Sequence, residues 1–366
     1  FWISSTGFLF NAVFALLSLL FFIHWKEKKR VIYLVLSLIF ITFSLLFHEL
    51  GVISPLIIIV YDIVFGERLV SNRISKKVYY FFLLSPLLPY FILRYLANSH
   101  WLSGDYSYNL LKLPYNIVGN TVGYLLLVLF GPASLPLYQG LRNFSREHVV
   151  FAMLASVIVI FIIVVLYRMI IRKMMKEEQR IVIFGSLFFI VSLLPFLGLG
   201  NISSRYSYLS SAGFVILLAF FIKKTYIYLI SANGRYIAIT NIIMIVTIFF
   251  MVHLFQLQKI QTDWQAAGEK SKSFLISLNE NYSDYWAKES MRLYFINVPI
   301  RLGDAWVFPV GLSDAVWLVS RNEQINVYQL SSISQALNLG GSMNEKVFEF
   351  DSSGAFFERK KIESKK

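Results

Sequence analysis

Two polar segments interrupt an otherwise apolar sequence, and the first carries a histidine beside a glutamate. His48 and Glu49 end one apolar run, Gly51 follows, and Pro55 lies within the first turn of the next run. At a helix end, a carboxylate can act as a base or orient another group, and an imidazole can bind a phosphate or a hydroxyl. Ionisable groups in apolar surroundings usually face a cavity, so a functional site is one interpretation. A tight polar turn between two helices is the other.

The second polar segment surrounds Arg205. It runs from Asn201 to Gly213 and contains Tyr206, Tyr208 and several serines where a new apolar run begins. Backbone N–H groups at a helix N-terminus, a guanidinium and hydroxyl donors can together hold a phosphate. An arginine that snorkels among tyrosines at a membrane surface is the alternative interpretation.

A third candidate is Asp105, in the polar segment from Asn98 to Tyr106. Its carboxylate could be catalytic, although a Ser-Gly-Asp sequence is more typical of an ordinary turn. Other acids near the ends of apolar runs are interpreted as solvated charges: Asp62, Glu67, Glu147, Glu177 and Glu178. No motif in the sequence requires a divalent metal or another cofactor.

The elements that must position these residues are apolar. Of the 366 residues, 57% are hydrophobic and 15% are charged, and the mean hydropathy is +0.62. A soluble domain is about one quarter charged, so this composition predicts a multi-pass integral membrane protein with an all-α membrane domain. The sequence has no cysteine, which excludes disulfides, thiolate metal sites and a cysteine nucleophile.

The net charge of +13 lies entirely in residues 1–255, which hold 21 Lys and Arg against 8 Asp and Glu. Residues 256–366 hold 13 of each, so we expect a membrane domain followed by a water-soluble domain. Basic residues near apolar runs indicate cytoplasmic loops rather than a nucleic-acid surface. Sixteen of the 21 lie in four loops: 25–30, 66–77, 168–180 and 223–235.

Eight apolar runs are long enough, or nearly so, to cross a bilayer, which needs about 20 helical residues. They are 8–24, 31–47, 52–65, 78–96, 149–167, 181–199, 206–222 and 236–255. Another run, 121–138, is broken by Gly131, Pro132 and Pro136 and is either a ninth span or a re-entrant or interfacial segment. The second interpretation is favoured, because a crossing there would move a basic loop outside. Eight spans place loop 97–148 and the C-terminal domain on the extracytoplasmic side.

The C-terminal residues alternate between helix and strand patterns. Apolar spacing predicts an amphipathic helix at 262–278 and another helix at 312–319, with strands between and after them. The predicted strands are 293–298, 305–308, 325–330 and 347–350. This pattern is typical of a small α/β domain, and the basic end, 358–366, is interpreted as a solvated tail.

At these polar segments the sequence resembles a family. HELGVISPLIIIVYD resembles the Lys-Glu-x-Gly helix junction of GT-C-class polytopic membrane glycosyltransferases, and SSRYSYLSSAGF is similar to the Glu-Arg-x-x-Tyr-x-Pro-Ser-x-Gly-Phe stretch of the O-mannosyltransferases that carry tetratricopeptide repeats. Between them, SHWLSGDYSYN and FGPASLPLY resemble the outer loop and Pro-containing segment of the same enzymes, in the same order. The resemblance covers about residues 1–255 and includes no tetratricopeptide repeats.

The resemblance implies an enzyme that moves a sugar from a polyprenyl-phosphate carrier to an acceptor, protein or glycan, on the outer face of the membrane. Arg205 would match the phosphate-binding arginine, with help from Tyr206 and Tyr208. Glu49 matches the family's Glu, and His48 stands where Lys is more frequent, which would make the charge there depend on pH. Its partners would be the bilayer and the lipid-linked sugar, with no nucleic acid.

Two departures from the family matter. Ser210 replaces the family's Pro. The family's catalytic acid lies in a first outer loop, which we expect upstream of Phe1, so Glu49 and Asp105 are only weak candidates for the base. Two other classes stay open: a transporter or flippase-like protein that uses His48, Glu49 and Arg205 as a substrate pathway, and a non-catalytic membrane scaffold.

The expected topology is testable because the chain has no cysteine of its own. Cysteines introduced at Ser103 and Ser352 should both react with an impermeant thiol reagent in intact cells, since both positions are predicted to lie outside. A cysteine in the basic loop 66–77 is the control and should react only after the cells are opened. Labelling of only one of the two outer positions would contradict the arrangement with eight spans.

Overall fold

The computed structural model describes residues 6–66, 76–98, 108–172, 174–285, 290–308, 311–332, 335, 344–351 and 355–359. The chain divides between His253 and Leu254 into two compact units. The first unit is built from helices, and the second combines helix with two small β-sheets.

The first unit contains ten complete described α-helices and the beginning of an eleventh. They are α1 (Thr6–Lys28), α2 (Val31–Phe47), α3 (Ile53–Phe65), α4 (Lys76–Leu84), α5 (Leu87–Leu96), α6 (Leu113–Phe130), α7 (Leu135–Glu147), α8 (Val149–Arg172), α9 (Lys176–Leu197), α10 (Tyr208–Asn233) and the beginning of α11 (Arg235–Tyr282). Short 3-10 helices precede α3, α7 and α10: Glu49–Val52, Pro132–Ser134 and Ser204–Ser207.

Within the described residues, six helical segments are long and apolar enough to cross a membrane. They are α1, the α4–α5 segment Val78–Leu96, α6, α9, the segment Ser204–Ala232 and α11. Helix α2 is apolar but has only 17 residues, and α3 has 13, a length of about 20 Å. The predicted helical character of this region is therefore confirmed, whereas the number of eight spans stays a prediction.

The segment 121–138 belongs to two helices instead of forming one unit. Helix α6 ends at Phe130, and α7 begins at Leu135. Between them Gly131 has φ of 74° and ψ of −173°, a backbone conformation that is open almost only to glycine. Pro132 then starts a new helical turn because its ring fixes φ near −65°. Helix α6 by itself is long and apolar enough to span, so a ninth span in this region, the alternative that the sequence left open, stays possible by length and composition.

The core of the first unit lies between α1, α2, α3 and α9. Its fully buried side chains include Phe22, Ile41, Ile58 and Phe188. Helix α10 packs closely on α9 because glycines face each other: a Cβ on Gly213 would lie 2.6 Å from the Phe189 backbone nitrogen. Small residues of this kind permit close packing of apolar helices.

The helix predicted at 262–278 is not a separate element. It is part of α11, which continues without a break from the apolar run into the second unit. The connecting residues 256–261 (QLQKIQ) include no Pro or Gly and are mostly strong helix formers, so nothing in them ends the helix.

The second unit contains β1 (Met291–Ile296), β2 (Arg301–Leu302), β3 (Ala305–Trp306), α12 (Leu312–Ser320), β4 (Ile325–Leu330), β5 (Glu345–Phe350) and β6 (Phe356–Glu358). The larger sheet has the order β4-β1-β5-β6; β1 is parallel to β4 and to β5, and β6 is antiparallel to β5. Phe274 of α11 packs on Phe295, Phe308 and Phe350 to form the core. The predicted strand-containing C-terminal region is confirmed, with the strand and helix bounds shifted by a few residues.

The sequence predicted that Asp62 is a solvated charge, and this prediction is wrong. Asp62 is 1% exposed at the end of α3, and the Lys26 amino group of α1 lies 2.5 Å from its Oδ1. The hydroxyls of Tyr79 and Tyr80 in α4 donate hydrogen bonds to its Oδ2. We call these four residues the Asp62 cluster. It joins three helices at the end of α3 that is remote from His48.

Removing one charge from the Asp62 cluster should destabilise the first unit strongly. In Asp62→Asn the Lys26 ammonium stays buried without its counter-ion, and breaking a buried ion pair in this way costs about 3–5 kcal/mol. Thermal unfolding in detergent measures the loss. Lys28→Met, which removes an exposed charge from the same helix end, is the control and should have little effect. The double variant Lys26→Met/Asp62→Asn should recover much of the loss; if it is no more stable than the single variants, the pair is not what holds this end together.

Candidate functional site

His48 lies at the break between α2 and α3, and its side chain closes that break. Its backbone is extended (φ −159°, ψ 146°), which ends α2. Its ring Nδ1 accepts a hydrogen bond from the Leu50 backbone N–H at 3.2 Å and so caps the 3-10 helix that follows. Because Nδ1 is the acceptor, the neutral ring carries its proton on Nε2, where it can be donated to another group.

Glycine is required at position 51, three residues after His48. A Cβ on Gly51 would lie 2.4 Å from the Leu45 backbone nitrogen, so the turn can fold back on α2 only without a side chain. From α1, Asn11 donates through Nδ2 to the Ser44 backbone oxygen at 2.9 Å and to the His48 oxygen at 3.4 Å. These contacts fix the His48–Gly51 junction against α1.

Phe8 brings the two polar segments together. Its ring centroid lies 4.0 Å from that of His48 and 5.7 Å from that of Tyr206. The Arg205 guanidinium carbon lies 5.8 Å from the Phe8 centroid and 5.2 Å from the Tyr206 centroid, and its Nη2 is 3.4 Å from the Tyr206 hydroxyl. We call Phe8, His48, Arg205 and Tyr206 the His48 cluster. It joins residues that are more than 150 positions apart in the sequence.

Contacts with the C-terminal end of α9 fix the position of Arg205. Tyr206 is 4% exposed and stacks on Phe196 with a centroid distance of 4.0 Å and an interplanar angle of 5°. From α6, Asn120 donates to the backbone oxygens of Phe196, Leu197 and Leu199 at 2.9–3.2 Å. These hydrogen bonds from the Asn120 side-chain amide engage carbonyls that a helix C-terminus leaves without partners within the helix. They also hold the loop that leads to Arg205.

Glu49 does not face the cluster as a free carboxylate. Its Oε2 lies 2.6 Å from Nη1 of Arg94 in the last turn of α5, and the same Nη1 donates to the Tyr90 hydroxyl at 2.8 Å. Both partners of the Glu49–Arg94 pair are partly exposed, at 35% and 22%. A carboxylate held in this way has one oxygen engaged by the guanidinium, so that oxygen is not free to accept a proton from an acceptor hydroxyl.

The other predicted site residues lie elsewhere. Tyr208 is 46% exposed in the first turn of α10, and among the described residues it makes none of the contacts of the His48 cluster. Asp105 lies outside the described residues. The sequence analysis did not identify Phe8 or Arg94 as site residues. Phe8 lies within a continuous apolar run. Arg94 lies near the end of another run, and only its isolated charge distinguished it.

The environment of His48 keeps its ring neutral near physiological pH. Burial lowers the pKa of His48; the Glu49 carboxylate opposes this, and the Arg205 and Arg94 guanidiniums add to it. The charge that we expected to vary with pH at this position is thus absent above the usual histidine pKa of 6.5. A neutral ring with its proton on Nε2 is a hydrogen-bond donor without a charge.

No family model, no curated protein and no solved structure matches this chain. Within the part of the chain that the structure describes, no group of three or more His, Cys, Asp or Glu side chains could hold a metal ion. The His48 cluster itself brings a guanidinium, an imidazole N–H and a phenol O–H around one aromatic ring, and these groups together suit an oxyanion.

The lowered pKa of His48 predicts a pH-dependent stability. Between pH 6.5 and the lower pKa of the folded state, the unfolded chain binds more protons than the folded one, so stability should fall as the pH falls through this range. His48→Asn should lose less stability between pH 7.5 and 5.5, because an Asn cap accepts the same backbone N–H and does not titrate. Thermal unfolding in detergent is the measurement.

His148→Asn, at an exposed position after α7, is the matched control, and its stability should depend on pH in the same way as that of the wild type. Equal pH profiles for the wild type and His48→Asn would mean that His48 is not buried as a neutral ring.

Proposed function

We propose that this chain is a membrane-embedded glycosyltransferase that moves a sugar from a polyprenyl-phosphate carrier to an acceptor on the outer face of the membrane. The observation that carries the proposal is the convergence of Arg205 and His48 on the ring of Phe8, with the Tyr206 hydroxyl beside the guanidinium. The resemblance of the two polar segments to the GT-C class agrees with it.

A phosphate is the ligand that these groups suit best. The Arg205 guanidinium offers a planar fork of N–H donors that matches two phosphate oxygens. The Nε2–H of His48 and the hydroxyl of Tyr206 can donate to the remaining oxygens. Arg205 also lies in the 3-10 helix that leads into the N-terminus of α10, the positive end of that helix's dipole.

The apolar helices provide the setting for a lipid carrier. Several are long enough to span a membrane, and α8 exposes apolar side chains along its length, with Phe151, Val157 and Phe161 more than 60% exposed. Apolar surface of this extent is stable in contact with lipid rather than water. The polyprenyl tail would lie along such helices while its phosphate reaches the His48 cluster at the helix ends.

In the proposed reaction a carboxylate removes the proton of an acceptor hydroxyl. The acceptor oxygen forms a bond to the anomeric carbon as the bond from that carbon to the phosphate oxygen breaks, with inversion of configuration. The leaving lipid phosphate gains a negative charge, which Arg205 stabilises. Since Arg94 holds Glu49, we do not assign the proton transfer to Glu49.

The sidedness belongs to the same proposal. The basic loops, which hold 16 of the 21 Lys and Arg of residues 1–255, would lie in the cytoplasm. The C-terminal unit and loop 97–148 would then lie on the extracytoplasmic side, where an acceptor protein or glycan is available.

A transporter is the second candidate, and the Asp62 cluster is the observation in its favour. A buried ion pair within apolar helices often marks a substrate or proton pathway. In this cluster, however, Lys26 and two tyrosine hydroxyls already engage the Asp62 carboxylate. Substrate flux across vesicles that depends on Asp62 but not on Arg205 would favour the transporter.

The central experiment changes Arg205 in the full-length protein. Purified protein in nanodiscs receives polyprenyl-phosphate mannose and, separately, polyprenyl-phosphate glucose, and consumption of the donor is measured. Arg205→Ala should lower the rate roughly 100- to 1,000-fold, the usual effect of removing one donor to a developing oxyanion. Arg205→Lys should recover it only in part, because an ammonium lacks the two-pronged geometry of a guanidinium.

Arg146→Ala, which removes an exposed arginine from the last turn of α7, is the matched control and should be as active as the wild type. The amount of each variant in the membrane fraction shows whether insertion is intact. A stable, inserted Arg205→Ala variant with wild-type rates would remove the main reason for calling this protein a glycosyltransferase.

A further inference from the structure

The Glu49–Arg94 pair places a carboxylate where a phosphate would be well bound. Glu49 follows His48 directly, and its Oε2 lies 2.6 Å from Nη1 of Arg94. A carboxylate and a phosphate bind a guanidinium through the same kind of charge-assisted N–H···O bonds. Glu49 therefore occupies the Arg94 guanidinium, a cation that a phosphate could bind in the same way.

The neighbourhood of His48 has more positive than negative charge. Two guanidiniums, of Arg94 and Arg205, and one carboxylate, of Glu49, act on the imidazole. Their sum is one positive charge, because the ring itself is neutral. A phosphate monoester carries about −1.5 to −2 charges at pH 7, which two arginines can balance but one cannot.

The two partners differ in how easily they can move. Arg94 is held from a second direction by the Tyr90 hydroxyl, one helical turn earlier in α5, at 2.8 Å from Nη1. Glu49 is the first residue of a short 3-10 helix, and its side chain is 35% exposed. When the pair opens, Glu49 can swing toward solvent while Arg94 stays in place.

We propose that Glu49 is a resident anion that occupies one half of a two-arginine phosphate site, and that a lipid phosphate monoester, the form of the carrier that sugar transfer releases, displaces it from Arg94. The phosphate is then held between Arg94 and Arg205, with His48 donating from Nε2. This inference rests on the proposed function, whose phosphate site it extends from one arginine to two. It assigns Arg94 as a phosphate ligand and Glu49 as its competitor.

Direct binding measurements distinguish a ligand from a competitor. Farnesyl phosphate is titrated against the full chain in phosphatidylcholine nanodiscs, and its dissociation constant is measured for each variant. Arg94→Gln should weaken binding roughly tenfold, the effect of about 1.4 kcal/mol. Glu49→Gln, which keeps the shape but removes the charge, should tighten binding roughly three- to tenfold, because the amide competes poorly for a guanidinium. Arg146→Gln is the matched control and should bind like the wild type.

The double variant is the decisive comparison. If Glu49 acts by occupying Arg94, then Glu49→Gln should no longer tighten binding once Arg94 is Gln, so the two effects should not add. Additive effects, or weaker binding by Glu49→Gln alone, would overturn the competition. Thermal unfolding of every variant is recorded beside binding.

A measurement on the unchanged protein covers the case in which a variant does not fold. Labelling by a carbodiimide with a glycine ester, read by mass spectrometry, should modify Glu49 faster after farnesyl phosphate is added, because the carboxylate becomes free. Slower or unchanged labelling would overturn the displacement.

Two further comparisons separate this inference from the proposed function and identify the source of the phosphate. If Arg205→Ala loses farnesyl phosphate binding while Arg94→Gln keeps it, the two-arginine site is wrong and the proposed function stands. If neither variant changes binding, both are wrong. Inorganic phosphate that competes at equal concentration would indicate a site for free phosphate, whereas competition only at much higher concentration supports a lipid phosphate.

Discussion

The hydrogen bond from the Leu50 backbone N–H to Nδ1 of His48 is the interaction on which the rest of the site depends. It closes a sharp break between two apolar helices, and it is possible because Gly51 has no side chain to collide with α2. The same bond fixes the orientation of the imidazole ring. The ring therefore packs on Phe8, and its N–H is at Nε2, the nitrogen that does not cap the turn. Through Phe8 this local cap determines where Arg205 and Tyr206 lie relative to the junction.

Helix α3 separates two charged clusters that are built on opposite principles. At the Asp62 end, a buried pair has two additional hydroxyl donors, and the low dielectric makes any rearrangement costly. At the Glu49 end, about 20 Å away by helix length, the pair is partly exposed and worth much less. The first cluster is suited to holding helices together, and the second is suited to exchanging partners.

The sequence predicted the secondary structure better than the partners of individual side chains. Apolar spacing located the helices and the strand β4, because periodicity is a local property. Gly131 and Pro132 also marked the break between α6 and α7. Apolar spacing did not predict the continuity of α11, which depends on the residues between two runs. Arg94 and Glu49 are 45 positions apart, and Lys26 and Asp62 are 36 apart, so no spacing rule connects them. His48 and Arg205 could be singled out because polar residues are rare in this sequence, but Phe8, which joins them, resembles every other phenylalanine.

A neutral His48 suits this junction better on electrostatic grounds than a lysine at the same position would. A lysine at position 48 would place three cations, with Arg94 and Arg205, around the single carboxylate of Glu49. That excess would lower the stability of the unliganded junction, because like charges at close range in partly buried surroundings repel strongly. An imidazole that caps the turn with Nδ1 and keeps its proton on Nε2 supplies a donor without a third charge. In the proposed site, Arg94 from α5 would provide the second positive charge that a phosphate monoester requires, so the histidine and the distant arginine would together take the place of one lysine.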